Sequence, residues 1–248
     1  MLRRIRIILA TLFFLSVTAL FIDSTGMAKE WLGWTAKIQF LPALLALNVV
    51  TVLALVVLTL LVGRAYCSVI CPLGVMQDVI SRISGLRKKK KSRFSYSGEK
   101  KWLRYGILVI FVVALVAGLT PLAALLAPYS SYGRMVSSVV SPSLSPVAIV
   151  AAVSFVVVAI MSWLGGRTYC NTICPVGTIL GFFSRFALFR PVINTSKCNS
   201  CKRCAKKCKA SCIDAKNHRI DYSRCVACMD CIKNCKHGAL TLRYALNN

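Results

Sequence analysis

The sequence predicts a membrane α-helical protein: four transmembrane helices arranged as two parallel hairpin repeats, followed by a small α+β cytoplasmic domain. Three observations lead there. Four apolar runs, about residues 5–22, 41–62, 105–127 and 146–164, approach the roughly 20 residues that a span requires. The second and fourth runs end in one motif, GRAYCSVICPLG at 63–74 and GRTYCNTICPVG at 166–177. After Arg190 the apolar texture stops, and eight cysteines fall into two runs of identical spacing.

Composition agrees with the class. Of 248 residues, 57% are hydrophobic and 16% charged, against about 25% charged in a soluble domain; mean hydropathy is +0.67. The first run follows Arg3, Arg4 and Arg6, which also suits a cleaved signal peptide. No small-x-small cleavage site follows cleanly, and cleavage would spoil the repeat, so the expectation is an uncleaved first helix. Basic residues set orientation. The N-terminus, 64–104 and 166–248 hold 29 of the 32 Lys and Arg, whereas 23–40 and 128–145 hold only Lys29, Lys37 and Arg134. Both termini and the middle loop are therefore expected on the cytoplasmic face of the inner membrane, with Trp31, Trp34, Tyr129, Tyr132 and Trp163 as interfacial anchors. The run RKKKKSR at 87–93 reads as an orientation signal lying on anionic lipid. Nothing resembles a base-reading module, so no nucleic acid partner is expected. The units are a first hairpin repeat at 1–84, a basic cytoplasmic loop at 85–104, a second repeat at 105–190 and a small domain at 191–248.

Aligning 63–84 with 166–187 gives ten identities in 22 positions at an offset of 103 residues. Both copies follow a hairpin whose second helix runs outward to inward, so the repeats are related by an axis along the membrane normal. Pro72 and Pro175 fit the first turn of a new helix, where the missing N–H costs nothing, which places Cys71 and Cys174 near an N-cap. The spacing of Val75, Val79, Ile80 and Ile83 predicts a short amphipathic helix on the membrane surface. Helix N-termini favour thiolates. Cys67, Cys71, Cys170 and Cys174 thus gather as four potential thiolates near the pseudo-axis, a donor set suited to zinc or an iron–sulfur cluster; structural thiols inherited through a duplication are the alternative. Asp78, with Gly181 as its counterpart, reads as a solvated surface carboxylate, a proton acceptor being the other reading.

Cys198, Cys201, Cys204 and Cys208 form C-x2-C-x2-C-x3-C, and so do Cys225, Cys228, Cys231 and Cys235. This is the two-cluster bacterial ferredoxin pattern, in which the fourth cysteine of each run serves the other cluster. One [4Fe–4S] cluster is therefore assigned to Cys198, Cys201, Cys204 and Cys235, and a second to Cys225, Cys228, Cys231 and Cys208. Zinc ribbons use separated C-x2-C pairs instead of triplets. Lys209 and Lys236 stand where a proline is usual, and Cys212 is a thirteenth cysteine, read as a small packed residue with ligand exchange as the alternative. His218 and His237 read as surface residues. Residues 166–248 carry 15 basic and 3 acidic side chains, which suits an acidic protein partner or anionic headgroups.

Together these features resemble the NapH-type membrane ferredoxin proteins, and are similar to the membrane part of NosR and to CcoG-like proteins. The resemblance covers nearly the whole chain. It implies a quinol dehydrogenase subunit, with quinol oxidised at the membrane and electrons delivered through iron–sulfur clusters to a partner redox enzyme or multisubunit complex. NosR-like proteins add a flavin-bearing periplasmic domain and CcoG-like proteins further C-terminal sequence, for which 248 residues leave no length. The CcoG likeness motivates an alternative, a copper- or iron-handling reductase or assembly factor with metal at Cys67, Cys71, Cys170 and Cys174. A redox sensor would need an output domain, and none is visible. No residue is singled out as catalytic.

Overall fold

The computed structural model describes residues 2–23, 26–87, 94–141 and 145–244. The lysine-rich part of the run expected on anionic lipid, 88–93, lies outside them.

Helix α1 (Leu2–Ile22) opens with Arg3, Arg4 and Arg6, is mostly apolar beyond them, and is followed by α2 (Met27–Lys37). The second expected span breaks into α3 (Phe40–Leu45) and α4 (Val49–Val62). Leu47 takes a left-handed φ of 51°, and the Asn48 side chain accepts from the Thr51 amide at 3.1 Å, so a fresh helix is capped there. The short helix α5 (Ala65–Val69) carries Cys67, and α6 (Pro72–Arg87) follows. The third expected span also divides. Helix α7 (Lys101–Val116) stops before Gly118, at φ 71°, and Pro121 sits in the opening turn of α8 (Thr120–Leu126), where proline is tolerated. Then come α9 (Pro128–Val140), α10 (Pro146–Gly165), α11 (Thr168–Thr172) and α12 (Pro175–Ser184). Among the described residues, α1 and α10 alone are continuous helices long and apolar enough to cross a membrane. Two of the four expected spans are thus interrupted by capping chemistry, which leaves hydropathy high while ending the helix.

The repeat is visible in the backbone. Ala65 and Thr168 open α5 and α11, Pro72 and Pro175 open α6 and α12, and Gly63 and Gly166 precede them at φ 78° and 72°. Helix α6 is amphipathic in the sense opposite to a water-soluble helix. Gln77, Asp78, Ser81 and Ser84 are buried, whereas Val79 and Ile83 are 45% and 49% exposed. A largely apolar outer face suits lipid, and most of the inner polar side chains find partners, Ser84 Oγ donating to the Trp163 carbonyl at 2.9 Å. Trp31 and Trp34 are exposed as expected of interfacial residues, but Tyr132 is buried. It packs against Phe14 and hydrogen-bonds Thr18, so it belongs to the interior and not to an interfacial belt.

The small domain holds β1 (Phe189–Ile193), α13 (Arg203–Lys207), β2 (Ile213–Asp214), β3 (Arg219–Ile220), α14 (Asp230–Asn234) and β4 (Leu240–Tyr244). Strands β1 and β4 pair antiparallel, Phe189 opposite Tyr244 and Ile193 opposite Leu240; β2 pairs with β3. The domain is docked, and the dock centres on one carboxylate. Asp78 Oδ1 accepts from Arg167 Nε at 2.8 Å, while Oδ2 lies 2.6 Å from Lys209 Nζ and 3.5 Å from Arg6 Nη1. Asp78 is 7% exposed, which replaces the solvated carboxylate expected from sequence with a buried hub. The reason is charge: three cations around the carboxylate keep it ionised and paired once it has left water. Burial alone would raise its pKa, but Arg167 and Lys209 hold the carboxyl well below the usual carboxylate range. The stabilisation it gives is complete above about pH 4 and is lost only as pH falls further.

Asp78→Asn should therefore loosen the dock, because removing one partner of a buried ionic cluster costs about 3–5 kcal/mol. Limited proteolysis around residues 185–197 should speed up in detergent-solubilised D78N, with unchanged cleavage the contrary result.

Candidate metal centre

The thirteen cysteines form three groups. Cys198, Cys201, Cys204 and Cys235 line one small cavity, and Cys208, Cys225, Cys228 and Cys231 line a second, joined there by Cys212. These are the two crossed sets expected from the spacing, brought together with the fourth cysteine of each run facing the other run's triplet. The local backbone explains how. Ser200 and Lys202 in the first run, and Ala227 and Met229 in the second, occupy equivalent positions and all take left-handed φ, 53°, 58°, 49° and 58°. Such residues cost about 1–3 kcal/mol each outside glycine and persist where something over-determines them. Successive turned-in amides make an anion-binding concavity, so the loops fit an anionic tetrathiolate cluster. Burial pushes the Cys228 thiol up to about 12 and raises Cys231 as well; a bound metal reverses this, since a coordinating thiol is deprotonated outright.

Cys212 Sγ lies 3.5 Å from Cys208 Sγ, fully buried, so it is packed as expected and also borders the second cavity. His237 approaches Asn199 at 3.0 Å and His218 approaches Ser200 at 3.4 Å; both lie beside the first run. Among the described residues, no three His, Cys, Asp or Glu side chains converge on a point suited to one ion. A single zinc draws its sulfurs to about 2.3 Å, whereas a cubane meets its ligands at four separate corners.

The third group is Cys67, Cys71, Cys170 and Cys174, all buried and part of one core cluster. Two guanidiniums of zero exposure, Arg64 and Arg167, frame it reciprocally. Arg64 Nη2 donates to the Cys170 carbonyl at 3.0 Å, and Arg167 Nη1 donates to the Cys67 carbonyl, each reaching from one repeat into the other. Gly74 and Gly177 sit where these guanidiniums and carbonyls pass, and a methyl at either would collide with them. Cys174 Sγ accepts from the Gly177 amide at 3.3 Å, the N-cap contact that the proline position predicts. Arg64 also donates to Asn171 Oδ1 at 2.8 Å and to the Ser223 carbonyl at 3.1 Å, and lies 3.9 Å from Cys67 Sγ. Arg167 has Asp78 as counter-ion, but among the described residues no carboxylate pairs with Arg64. A fully buried unpaired cation is costly. Four thiolates around an iron–sulfur cluster would supply the missing negative charge, so the donor set fits such a group.

Sequence reading did not single out Arg64, Arg167, Gln77 or Lys209 as part of the site. For the first two a signal was present, since arginine heads both copies of the repeated motif. Lys209 had a signal of another kind, as the residue standing where proline is usual. Its carbonyl accepts from the Arg167 amide at 2.8 Å while its ammonium reaches Asp78, so it joins the second cysteine run to the four-cysteine group.

A cavity of about 850 Å³ opens among α1, α6, α9 and α10, lined by Phe14, Thr18, Met76, Tyr132, Ala151 and Phe155 among others. Its wall is mostly apolar, with the Ser138 hydroxyl and one hydroxyl relay as polar features. Thr18 donates to the Phe14 carbonyl at 2.6 Å, and the Tyr132 hydroxyl lies 2.6 Å from Thr18 Oγ1. Thr18 having spent its proton, Tyr132 donates to it, which leaves the phenolic oxygen as an acceptor.

A family model described as a 4Fe-4S binding domain matches the chain twice, at residues 44–93 and 147–195, and another of the same description matches residues 219–240. The paired matches contain Cys67 with Cys71 and Cys170 with Cys174. The uncharacterized protein MJ0749 of Methanocaldococcus jannaschii is 24% identical over 208 residues, covering 82% of this chain and 73% of that one. The putative electron transport protein YccM of Escherichia coli is 25% identical over 179 residues, 68% of this chain and 47% of its own. The methylamine utilization ferredoxin-type protein MauN of Paracoccus denitrificans is 26% identical over 147 residues, 59% and 48% of the two chains. The chain thus spans about half the length of YccM and of MauN. No solved structure matches. These similarities support a membrane-type ferredoxin family and a function in iron–sulfur electron transport.

If an anionic cluster offsets Arg64, Arg64→Leu should lower the melting temperature of iron-loaded protein by more than that of iron-free protein, because the iron-free chain also sheds an uncompensated charge. Equal shifts in the two forms would count against that pairing.

Proposed function

We propose that the chain is a NapH-type quinol dehydrogenase subunit that draws electrons from quinol and passes them through three [4Fe–4S] clusters to a partner redox enzyme. The observation that carries this reading is the single buried core shared by all three cysteine groups. Cys67, Cys71, Cys170 and Cys174 would hold the cluster at the membrane edge. Cys208, Cys225, Cys228 and Cys231 would hold the next, and Cys198, Cys201, Cys204 and Cys235 the last. Bound there, cubane clusters supply one-electron uptake and release. Asn171 supports the order of the first two: adjacent to Cys170, it donates Nδ2 to the carbonyl of Ala210, which lines the second cavity. The third set supports an exit, because Cys201 is exposed and is followed by exposed Lys202 and Arg203, a surface suited to an acidic partner.

The apolar cavity supports the quinol. Its volume falls within the roughly 300–1,000 Å³ of small-molecule sites. Among its lining groups the Tyr132 hydroxyl, with its proton directed to Thr18, offers an acceptor oxygen to the O–H of a reduced quinol, and the Ser138 hydroxyl is a further polar group on the wall. Met76 lines the cavity and packs against the core that contains Cys71, so the cavity borders the membrane-edge group. Membrane placement takes α1, α3 with α4, α7 with α8, and α10 as four crossings, with both chain ends cytoplasmic. Arg3 supports that topology, because its bond to Asp230 at 2.5 Å brings the start of α1 beside the small domain.

The test is anaerobic protein in nanodiscs containing menaquinol, with cluster absorbance followed over time. Bleaching should accompany quinol oxidation, and its absence would remove the quinol. Tyr132→Phe should slow bleaching by quinol roughly fivefold, the worth of one hydrogen bond, and leave bleaching by dithionite unchanged.

A further inference from the structure

The two halves of the four-cysteine group are built alike but are not identical, Ser68 standing where the second repeat has Asn171. Residues 63–74 and 166–177 correspond, and both supply an arginine, a tyrosine, two cysteines, a proline and a glycine to the same surroundings. Further along, Gln77 and Asp78 in the first repeat stand where the second has Leu180 and Gly181. Gln77 and Leu180 are both fully buried. Gln77 Nε2 lies 3.1 Å from Cys170 Sγ, across the repeat boundary, whereas its counterpart offers no donor to the first repeat. The other sulfurs have different partners: Cys67 has Arg64 at 3.9 Å, Cys71 and Cys174 receive the Gly74 and Gly177 amides, and Cys174 also bonds the Cys170 thiol.

The amide is retained at a cost. Its Oε1 is buried with no partner, and an unsatisfied buried acceptor is worth about 1–3 kcal/mol of destabilisation. Leucine fills the equivalent position without it. The charge around the group is lopsided as well, because Asp78 neutralises Arg167 while Arg64 is uncompensated. Arg64 and Gln77 both act at Cys170, and Cys170 is the residue next to Asn171, whose amide contacts the loop of the second cysteine cavity.

We propose that Gln77 sets the reduction potential of the cofactor held by Cys67, Cys71, Cys170 and Cys174 and polarises it toward Cys170, whose neighbour Asn171 contacts the loop of the next cysteine set. The inference rests on the reading that these four residues hold a redox cluster. When that cluster gains one electron, negative charge on its sulfurs grows, and the Gln77 N–H bond strengthens with it. No proton is transferred. Gln77 is a positioning residue, acting through a ligand, and hydrogen bonds to ligand sulfurs are among the determinants of cluster potential.

The experiment is a redox titration of anaerobic full-length protein monitored by electron paramagnetic resonance, wild type against Gln77→Leu and Gln77→Met. One midpoint should fall by an amount equivalent to a tenfold change in equilibrium, about 59 mV for one electron, and the remaining midpoints should stay in place. The use of two apolar variants covers the case in which one fails to fold. Unmoved midpoints at undiminished iron content would overturn the proposal. A wild-type protein with iron for two clusters, about 8 atoms instead of about 12, would instead overturn the membrane-edge cluster on which it rests.

Discussion

Asp78 holds three parts of the chain together. Arg6 comes from the first helix, Arg167 from the second repeat and Lys209 from the small domain, and their charges converge on one buried carboxylate. Buried ion clusters of this kind add little net stability compared with an apolar substitute, but they are severe about geometry, since a misplaced partner strands a charge. The constraint explains why the cysteine-rich domain sits in one orientation beside the four buried thiols of the repeats and does not trail as a basic tail. It also explains Lys209 in place of proline: at this dock an ammonium is needed where a rigid ring would serve only the turn.

Around that anchor the repeats close on each other. Arg64 and Arg167 cross the pseudo-axis to the carbonyls of Cys170 and Cys67, in the manner of a two-fold interface within a single chain. Glycine on each side leaves the space. The arrangement brings two guanidiniums to four thiols, and only one guanidinium has a carboxylate. A site with surplus positive charge, buried sulfur and left-handed loops nearby is prepared for anionic tetrathiolate clusters. The duplicated 4Fe-4S domain matches fall on the same residues.

Helix α6 shows how membrane and cofactor requirements meet in one element. Its apolar side faces outward, where lipid is the expected solvent, and its polar side points at the sulfurs and at the dock. Divergence between the repeats is concentrated there. Gln77 and Asp78 stand where the second repeat has Leu180 and Gly181, so the two halves of a duplicated scaffold present different groups to the sulfurs and the dock.

The cysteine groups were legible from the sequence because each triplet is local, the pairing of two runs of like spacing suggests the crossed fourth cysteine, and a similar motif 103 residues on announces a symmetric partner. Apolar character was legible for the same reason, each residue carrying its own hydropathy. What hydropathy could not register was where helices stop, since Asn48 and Gly118 end them through a cap and a left-handed turn while the run remains apolar. The identity of Asp78 and Tyr132 as interior groups was decided by tertiary structure alone. Their partners lie as far as 131 residues away, and whether a carboxylate or phenol is solvated or buried depends on which charges and hydroxyls the folded chain brings to meet it.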